Sequence, residues 1–233
     1  MAYRYGNSIQ RETPAVFYLL VINVLVYMAQ RLITGFNVTE WGALHYFKSP
    51  GFRPVQFITN IFMHDPDNFF HLAFNMFTLW MFGSILEKFW GSQKFLNFYI
   101  ICGIGASIII ELSIPFSGQQ LIKSLGELPG QPGYAADLET YKMQYEALGA
   151  SGAIMGLLAA FAYLFPNTEM MMIFIPIPIK AKYFIPLYML IELFQGVHQF
   201  QGDNVGHFAH LGGALIGFLL VLFWNKSDRK TFY

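Results

Sequence analysis

Long apolar segments separated by short polar joints dominate the pattern of this chain. A helix needs about 17 to 25 mostly apolar residues to cross the roughly 30 Å hydrocarbon core of a bilayer. Six segments are candidates, and Pro14 at the start of the first suits an initial helical turn. The pattern therefore predicts six membrane spans, at residues 14–33, 69–89, 95–116, 149–165, 183–200 and 205–224.

The segments between these spans differ in character. Residues 35–68 mix aromatic, proline and acidic positions, which is typical of a loop at the membrane interface. Residues 117–148 are polar and predict an exposed loop with one short helix. Residues 170–182 are apolar, but two prolines in them exclude a plain helical span. The short joint at 87–94 predicts that spans two and three are antiparallel neighbours.

Composition supports the bilayer as the solvent. Of the 233 residues, 55% are hydrophobic, 18% are aromatic and only 12% are charged, whereas soluble domains carry about 25% charged residues. The formal net charge is zero, which gives no sign of nucleic-acid binding. The single cysteine, Cys102, excludes an intrachain disulfide and a thiolate metal cluster, and we interpret it as a packing residue. The predicted fold class is an all-α, polytopic membrane protein.

The distribution of basic residues predicts the orientation. With both termini on the cytoplasmic side, nine lysines and arginines lie on that side and five lie opposite, which favours N-in and C-in. The first apolar segment is interpreted as a span rather than a cleaved signal, because no clear cleavage site follows it. We expect a cytoplasmic tail at 1–13, a membrane domain at 14–225 and a second tail at 226–233, in the plasma (inner) membrane.

Polar residues inside spans are informative because each costs several kcal/mol unless it is paired or wetted. His71 and Asn75 in span two are four residues apart, so they share one helix face and can point donors at a common place. The plainer alternative is that both form hydrogen bonds between helices.

Ser151 begins span four within Gly149-Ala-Ser151-Gly152. The glycines allow a tight turn into a helix whose first N–H groups lack partners, and such groups can hold an oxyanion. Two structural alternatives are open. Ser151 could be an N-cap, and Gly152 with Gly156 could form a face of small residues for helix packing. The Gly-x-Ser-x-Gly elbow of α/β-hydrolases is absent, because Ala153 stands two residues after the serine.

Span six places His210 three residues before Gly213, the first glycine of a Gly213-xxx-Gly217 face. If this face meets Gly152 and Gly156 of span four, His210 can reach Ser151 and accept its hydroxyl proton. The alternative is a metal site that joins the histidines of this region, but the His-Glu-x-x-His pattern is missing. We predict no metal and no cofactor, with structural or loop-facing roles for two further histidines, His64 and His207.

Taken together, these motifs, in this order on spans two, four and six, resemble the rhomboid intramembrane serine proteases. Gly83-xxx-Glu87 and Gly91 at the end of span two add to the resemblance. It implies a six-helix core around a water-filled cavity, in which Ser151 is the nucleophile, His210 is the general base and no third acid takes part. It also implies an oxyanion hole formed by His71, Asn75 and the Ser151 N–H, and lateral substrate entry beside span five.

The chain departs from the family pattern at two places. Val55-Gln56 stands where relatives often have Trp-Arg, so the first loop is expected to be anchored differently. Met155 stands where an aromatic residue often packs on the histidine one turn after the serine. The inactive relatives have a proline before the serine, and this chain has Ala150.

The function that we predict is hydrolysis of peptide bonds in or near the transmembrane helices of protein substrates within the lipid bilayer. Residues 196–204 are predicted to cap the site. One alternative is a non-catalytic, rhomboid-like protein that binds transmembrane helices. A transporter is the third possibility, although no internal repeat supports it.

Overall fold

The computed structural model describes residues 9–126, 128–172, 175–198 and 206–228. Most of these residues are helical, and two short antiparallel strand pairs complete the fold. The helices are α1 Ile9–Glu12, α2 Pro14–Leu32, α3 Val38–Gly42, α4 Gln56–Thr59, α5 Phe69–Thr78, α6 Ser84–Trp90, α7 Ser92–Ser124, α8 Tyr134–Gln144, α9 Ser151–Leu164, α10 Ala181–His198 and α11 His207–Asp228. A 3₁₀ turn at Asn60–Phe62 follows α4, and a π turn at Leu79–Gly83 joins α5 to α6.

Both strand pairs are antiparallel. The first, β1 Leu44–His45 with β2 Glu146–Ala147, joins the first loop to the segment just before Ser151. The second, β3 Glu169–Met172 with β4 Ile175–Lys180, occupies the proline-containing segment for which a plain span was excluded.

Within the described ranges, four helices are long and apolar enough to cross a membrane: Pro14–Leu32, Phe69–Trp90, Ser92–Ser124 and His207–Lys226. Their outer faces expose large apolar side chains, among them Leu25, Leu112 and Phe223 at 62%, 76% and 69%. An apolar exterior of this size matches lipid better than water. The chain is therefore an integral, multi-pass membrane protein.

The ends of predicted spans three and five can be compared with helices α7 and α10. Span three was predicted to end at residue 116, but α7 continues to Ser124 as a helix of 33 residues with Pro115 inside it. The last turns are polar, yet they stay helical because α8 packs on them, and a Cβ at Gly118 would lie 2.5 Å from the Tyr141 ring. Span five was predicted at 183–200, where α10 covers residues up to His198 and the last two lie outside the described residues.

Helix α9 forms the centre of the bundle, and its ten residues Gly152 to Phe161 are all buried. A Cβ at Gly213 would lie 1.8 Å from the carbonyl oxygen of Gly152, and one at Gly217 would lie 2.5 Å from atoms of Gly156. The predicted glycine contact between spans four and six is therefore confirmed. On the side of α7, Cys102 is buried and would meet a Cβ at Gly156 at 2.6 Å, which agrees with its interpretation as a packing residue.

One end of the bundle, which we call the tail end, contains the start of α2, the joint between α6 and α7, and the last turns of α11. The buried carboxylate of Glu87 accepts hydrogen bonds of 2.8 Å from the N–H groups of both Ala15 and Val16, and one of 2.6 Å from the Ser92 hydroxyl. Trp90 and Trp224 meet edge to face at 5.8 Å. A carboxylate is favourable there because the first N–H groups of a helix lack partners.

The first loop is anchored by Gln56, whose side chain is fully buried. Its amide nitrogen donates to the carbonyl oxygens of Trp41 and Gly51, and its oxygen accepts from the N–H groups of Arg53 and His45. In this chain the glutamine of Val55-Gln56 thus holds the loop. A second anchor is Glu111 of α7, which accepts a 3.0 Å hydrogen bond from the Phe47 N–H.

Candidate active site

Ser151 is the first residue of α9, and the local backbone explains its position. Gly149 has a φ of 136°, which an L side chain rarely adopts, and its N–H donates to the carbonyl oxygen of Asn60. The N-cap is Ala150, and no side-chain capping bond is made there. The interpretation of Ser151 as an N-cap is therefore wrong. Its hydroxyl is not committed to the helix end, and the helix begins with N–H groups that have no intrahelical partner.

His71 and Asn75 lie on one face of α5, as predicted. The N–H of Asp65 donates to Nδ1 of His71 at 3.2 Å, so the ring carries its proton on Nε2. Nε2 points toward the start of α9. A Cβ added at Gly149 would lie 3.2 Å from Nε2 of His71 and 3.4 Å from Oγ of Ser151, so both atoms face the same position. Asn75 donates one amide hydrogen to the His71 carbonyl at 2.7 Å, which leaves its second amide hydrogen for another acceptor.

His210 lies on α11, one turn before the glycine contact with α9, and only 8% of the residue is exposed. Its Nδ1 is 2.9 Å from a carboxylate oxygen of Glu192 in α10. No hydrogen bond joins His210 to the Ser151 hydroxyl within the described part of the chain. Catalytic hydrogen bonds are often long in free enzymes and tighten when substrate binds.

A single cavity brings these side chains together. Its volume is about 1090 Å³, and its wall includes residues of α5, α7, α9, α10 and α11. The four residues predicted from the sequence all line it: His71, Asn75, Ser151 and His210. Helix α9 has 14 residues, which corresponds to a length of roughly 21 Å and is shorter than a bilayer core. The cavity lies at the beginning of this short central helix, where Ser151 lines its wall.

Glu192 is a site residue that sequence reasoning missed. It is 3% exposed, lines the cavity, and its Oε2 lies 2.7 Å from Nδ1 of His207 as well as 2.9 Å from Nδ1 of His210. Tyr188, one turn earlier on α10, interacts with the same carboxylate. The signal was in the sequence, because a carboxylate stands in the middle of predicted span five. Glu192 does not belong to the predicted site, for which the resemblance implied no third acid.

His64 and His207, the two further histidines of the sequence analysis, have distinct surroundings. His207 is buried and bound to Glu192, which agrees with a structural role. His64 is fully buried, and its ring centroid is 5.3 Å from that of His71. Burial, together with the neighbouring His71 ring, lowers the pKa of His64 to about 4. His64 is therefore neutral at pH 7.

One cluster at the edge of the cavity, where Glu146 lines the wall, brings a histidine close to two carboxylates. His45 is buried between the exposed Glu40 and Glu146, with ligand atoms within 4.8 Å of one another. Nε2 of His45 lies 3.6 Å from a carboxylate oxygen of Glu40, and Nδ1 lies 3.9 Å from one of Glu146. The cluster thus serves to hold β1 and β2 together. The predicted absence of a metal stays a prediction.

Two further predictions concern the surroundings of the site. Met155, one turn after Ser151, is buried and lines the cavity. The predicted cap at 196–204 lies mostly outside the described residues, and Gly196, at the end of α10, packs against His207.

The fold and this site define a helical, multi-pass membrane protein with a serine and a histidine in a cavity at one end of its bundle. A family model described as "Rhomboid domain" matches residues 52–226. The chain belongs to the rhomboid family.

Known relatives come from bacteria and from organelles. The chain is 31% identical to "Rhomboid protease AarA" of Providencia stuartii, with 91% of this chain and 73% of the relative covered. It is 26% identical to "Rhomboid protein 1, mitochondrial" of Saccharomyces cerevisiae over 76% of this chain. It is 25% identical to human "Presenilin-associated rhomboid-like protein, mitochondrial" over 98% of this chain. The chain spans only 43% and 53% of the lengths of these two mitochondrial relatives.

Proposed function

We propose that this chain is an intramembrane serine endopeptidase that hydrolyses peptide bonds in or near the transmembrane helices of its substrates. The observation that carries the proposal is the single cavity lined by Ser151, His210, His71 and Asn75. The relative named as a rhomboid protease, which is 31% identical, supports the same activity.

In the proposed first step, the Ser151 hydroxyl gives its proton to Nε2 of His210 as Oγ attacks the substrate carbonyl carbon. A C–O bond forms, and the electron pair of the carbonyl double bond moves to the oxygen. The C–N bond then breaks, and the amine leaves with the proton that His210 held. Water from the cavity attacks the resulting ester by the same route, and its hydrolysis returns Ser151 to its starting state.

The oxyanion would be held by the Ser151 N–H, by Nε2–H of His71 and by the second amide hydrogen of Asn75. The assignment of the His71 proton to Nε2 supports this role, because the Asp65 N–H occupies Nδ1. Donors that are fixed before the reaction stabilise the transition state without reorganisation, and one such donor typically contributes about 2.7–4 kcal/mol.

The substrates that we propose are transmembrane proteins with a locally unstable helix and small residues at the cleaved bond. A peptide bond inside a helix is hidden by its own hydrogen bonds, so it must be unwound before Ser151 can attack it. The cavity offers polar partners to the freed groups, since His71, Asn75 and Glu192 line it. We also propose that substrates enter laterally beside α10.

The topology proposed for this function has six spans with both termini in the cytoplasm. In addition to the four long helices, α9 and α10 would be the fourth and fifth spans, with α9 as the short, central one. Nine cytoplasmic basic residues against five support N-in and C-in. We propose the plasma (inner) membrane as the location, and fractionation of the native cells tests it.

The test is cleavage of a model transmembrane substrate by the purified protein in proteoliposomes. We expect Ser151→Ala and His210→Ala to lose cleavage, because each removes a partner in the proton transfer. Labelling by a fluorophosphonate should disappear in Ser151→Ala for the same reason.

The matched control is Ser113→Ala in α7, whose hydroxyl bonds to the Ile110 carbonyl of its own helix. This variant should cleave and label like the wild type. Equal cleavage by the wild type and Ser151→Ala, or cleavage by neither, contradicts the proposal. The second result, combined with retained binding of transmembrane helices, would favour a non-catalytic role.

A further inference from the structure

We propose that Glu192 is a positioning residue for the base, so that the site works as Ser151–His210–Glu192 and not as a serine–histidine pair. This inference rests on the proposed function and concerns the same cavity. Glu192 is 3% exposed, in the middle of α10, on a helix that contributes none of the other proposed catalytic groups.

The first argument is the tautomer of His210. An ionised carboxylate only accepts hydrogen bonds, so the 2.9 Å contact with Glu192 requires the proton of a neutral His210 to be on Nδ1. Nε2 then has a free lone pair. That nitrogen is the atom which must accept the Ser151 proton, and the opposite tautomer could not accept it.

The second argument is the charge that appears in the reaction. When the Ser151 proton moves to Nε2, His210 becomes an imidazolium ion in a buried place. Glu192 Oε2 already lies 2.9 Å from its other nitrogen, so the new positive charge forms next to a negative one. The proton stays on His210 until it goes to the leaving amine, and Glu192 remains a carboxylate throughout.

The third argument is how firmly the carboxylate is held. His207 donates to the same Oε2 at 2.7 Å, and Tyr188 interacts with the carboxylate from its own helix. These partners keep Glu192 ionised and fix its orientation, because a buried carboxylate needs several donors to offset its lost hydration. His207 thus acts on the base through Glu192.

A purely structural reading treats this group as an ionic link between α10 and α11. It predicts that removing the charge lowers stability and leaves kcat per folded molecule unchanged. Our proposal predicts a loss of kcat with little change in KM, since the interaction is formed with the base and not with the substrate.

The test compares Glu192→Gln with Glu192→Asp in the full chain, in proteoliposomes, with kcat and KM for the model substrate corrected for folded protein. We expect Glu192→Gln to lower kcat by about 100-fold or more, because the loss of the acid in a Ser-His-Asp triad has an effect of this kind. The shorter carboxylate of Glu192→Asp should restore at least a tenth of the wild-type kcat. The control is Glu111→Gln, which replaces a buried glutamate that accepts from the Phe47 N–H of the first loop and should keep the wild-type kcat.

A wild-type kcat in Glu192→Gln overturns the inference and leaves the proposed function intact, whereas an inactive wild type overturns the proposed function. If Glu192→Gln does not fold, nitrogen NMR of the ¹⁵N-histidine-labelled wild type decides. A signal for His210 with the proton on Nδ1 supports the inference, and one with the proton on Nε2 overturns it.

Discussion

Two buried glutamates at different places in the bundle carry out different tasks. Glu87, at the tail end, accepts from two backbone N–H groups at the start of α2 and from a serine hydroxyl. Glu192, in the cavity, lies against two imidazole rings. The two residues are equally enclosed, at 2% and 3% exposure. What distinguishes them is the chemistry of their partners.

Backbone N–H groups do not gain or lose protons near neutral pH, so the donors around Glu87 stay the same. Glu87 therefore contributes to stability. Imidazole nitrogens can gain and lose protons near neutral pH, so the environment of Glu192 can change during a reaction. Burial of a carboxylate alone therefore does not mark a functional site. A buried carboxylate with titratable partners in a cavity does indicate one.

The largest effect is expected from a substitution at the glycine contact between α9 and α11. Gly213→Ala would place a Cβ 1.8 Å from the Gly152 carbonyl oxygen, and backbone atoms cannot move aside as a flexible side chain can. Helices α9 and α11 would have to separate, which moves His210 away from Ser151. We expect loss of cleavage and of stable folding, measured by turnover and by thermal unfolding in detergent.

The control, Gly35→Ala, adds a Cβ with no atom within 4 Å and should behave as wild type. Normal activity in Gly213→Ala would show that this contact does not position the base.

A smaller effect should separate the two glutamates. Glu87→Ala leaves two N–H groups of α2 and the Ser92 hydroxyl without their acceptor, and we expect the free energy of unfolding to fall by about 4 kcal/mol. Cleavage per folded molecule should remain, because the tail end is remote from the cavity. Denaturant titration followed by tryptophan fluorescence measures the first quantity, and active-site titration measures the second. A fall in kcat as large as that of Glu192→Gln would mean that the two regions are coupled.

The smallest of the three effects is a loss of folding stability at low pH that arises from His64. The pKa of His64 is about 4 in the folded chain and 6.5 in the unfolded one, so the unfolded state binds the extra proton between these values. The stability contributed by neutral His64 is therefore complete above pH 6.5 and falls as the pH falls, by about 3 kcal/mol at pH 4.

His64→Phe should remove this part of the pH dependence, because a phenyl ring fills the site and does not titrate. Unfolding at pH 7 and pH 4 measures the difference. The exposed histidine His198 provides the comparison, and His198→Gln should keep the wild-type dependence. An unchanged dependence in His64→Phe would assign the loss of stability to other groups.

Much of the fold could be predicted because membrane spans have a strong sequence signal. The starts of α2 and α5 were predicted at Pro14 and Phe69, and the glycine spacing indicated that spans four and six could meet. The end of α7 was predicted eight residues too early, because polar residues beyond Pro115 suggested a loop. They stay helical through packing against α8, which is a tertiary effect that local sequence does not contain.

The site was predictable in part for the same reason. Ser151, His210, His71 and Asn75 stood out as polar residues within or at the ends of apolar spans, and the structure brings all four to one cavity. Glu192 carried the same signal, but its partners lie 15 and 18 positions away in the sequence, on another helix. No periodicity links positions on different helices, so the pairing became visible only in three dimensions. Likewise, nothing at Gln56 itself indicates that it holds the first loop through four backbone contacts.

The size of the cavity has a consequence for the second half of the proposed reaction. A volume of about 1090 Å³ is far larger than the share of one water molecule in the liquid, which is about 30 Å³. Water at Ser151 is then a local solvent and not a scarce reagent that arrives singly through lipid. Hydrolysis of the acyl-enzyme would follow water activity in first order, and small alcohols dissolved in the same reservoir would compete for the acyl group in proportion to their concentration.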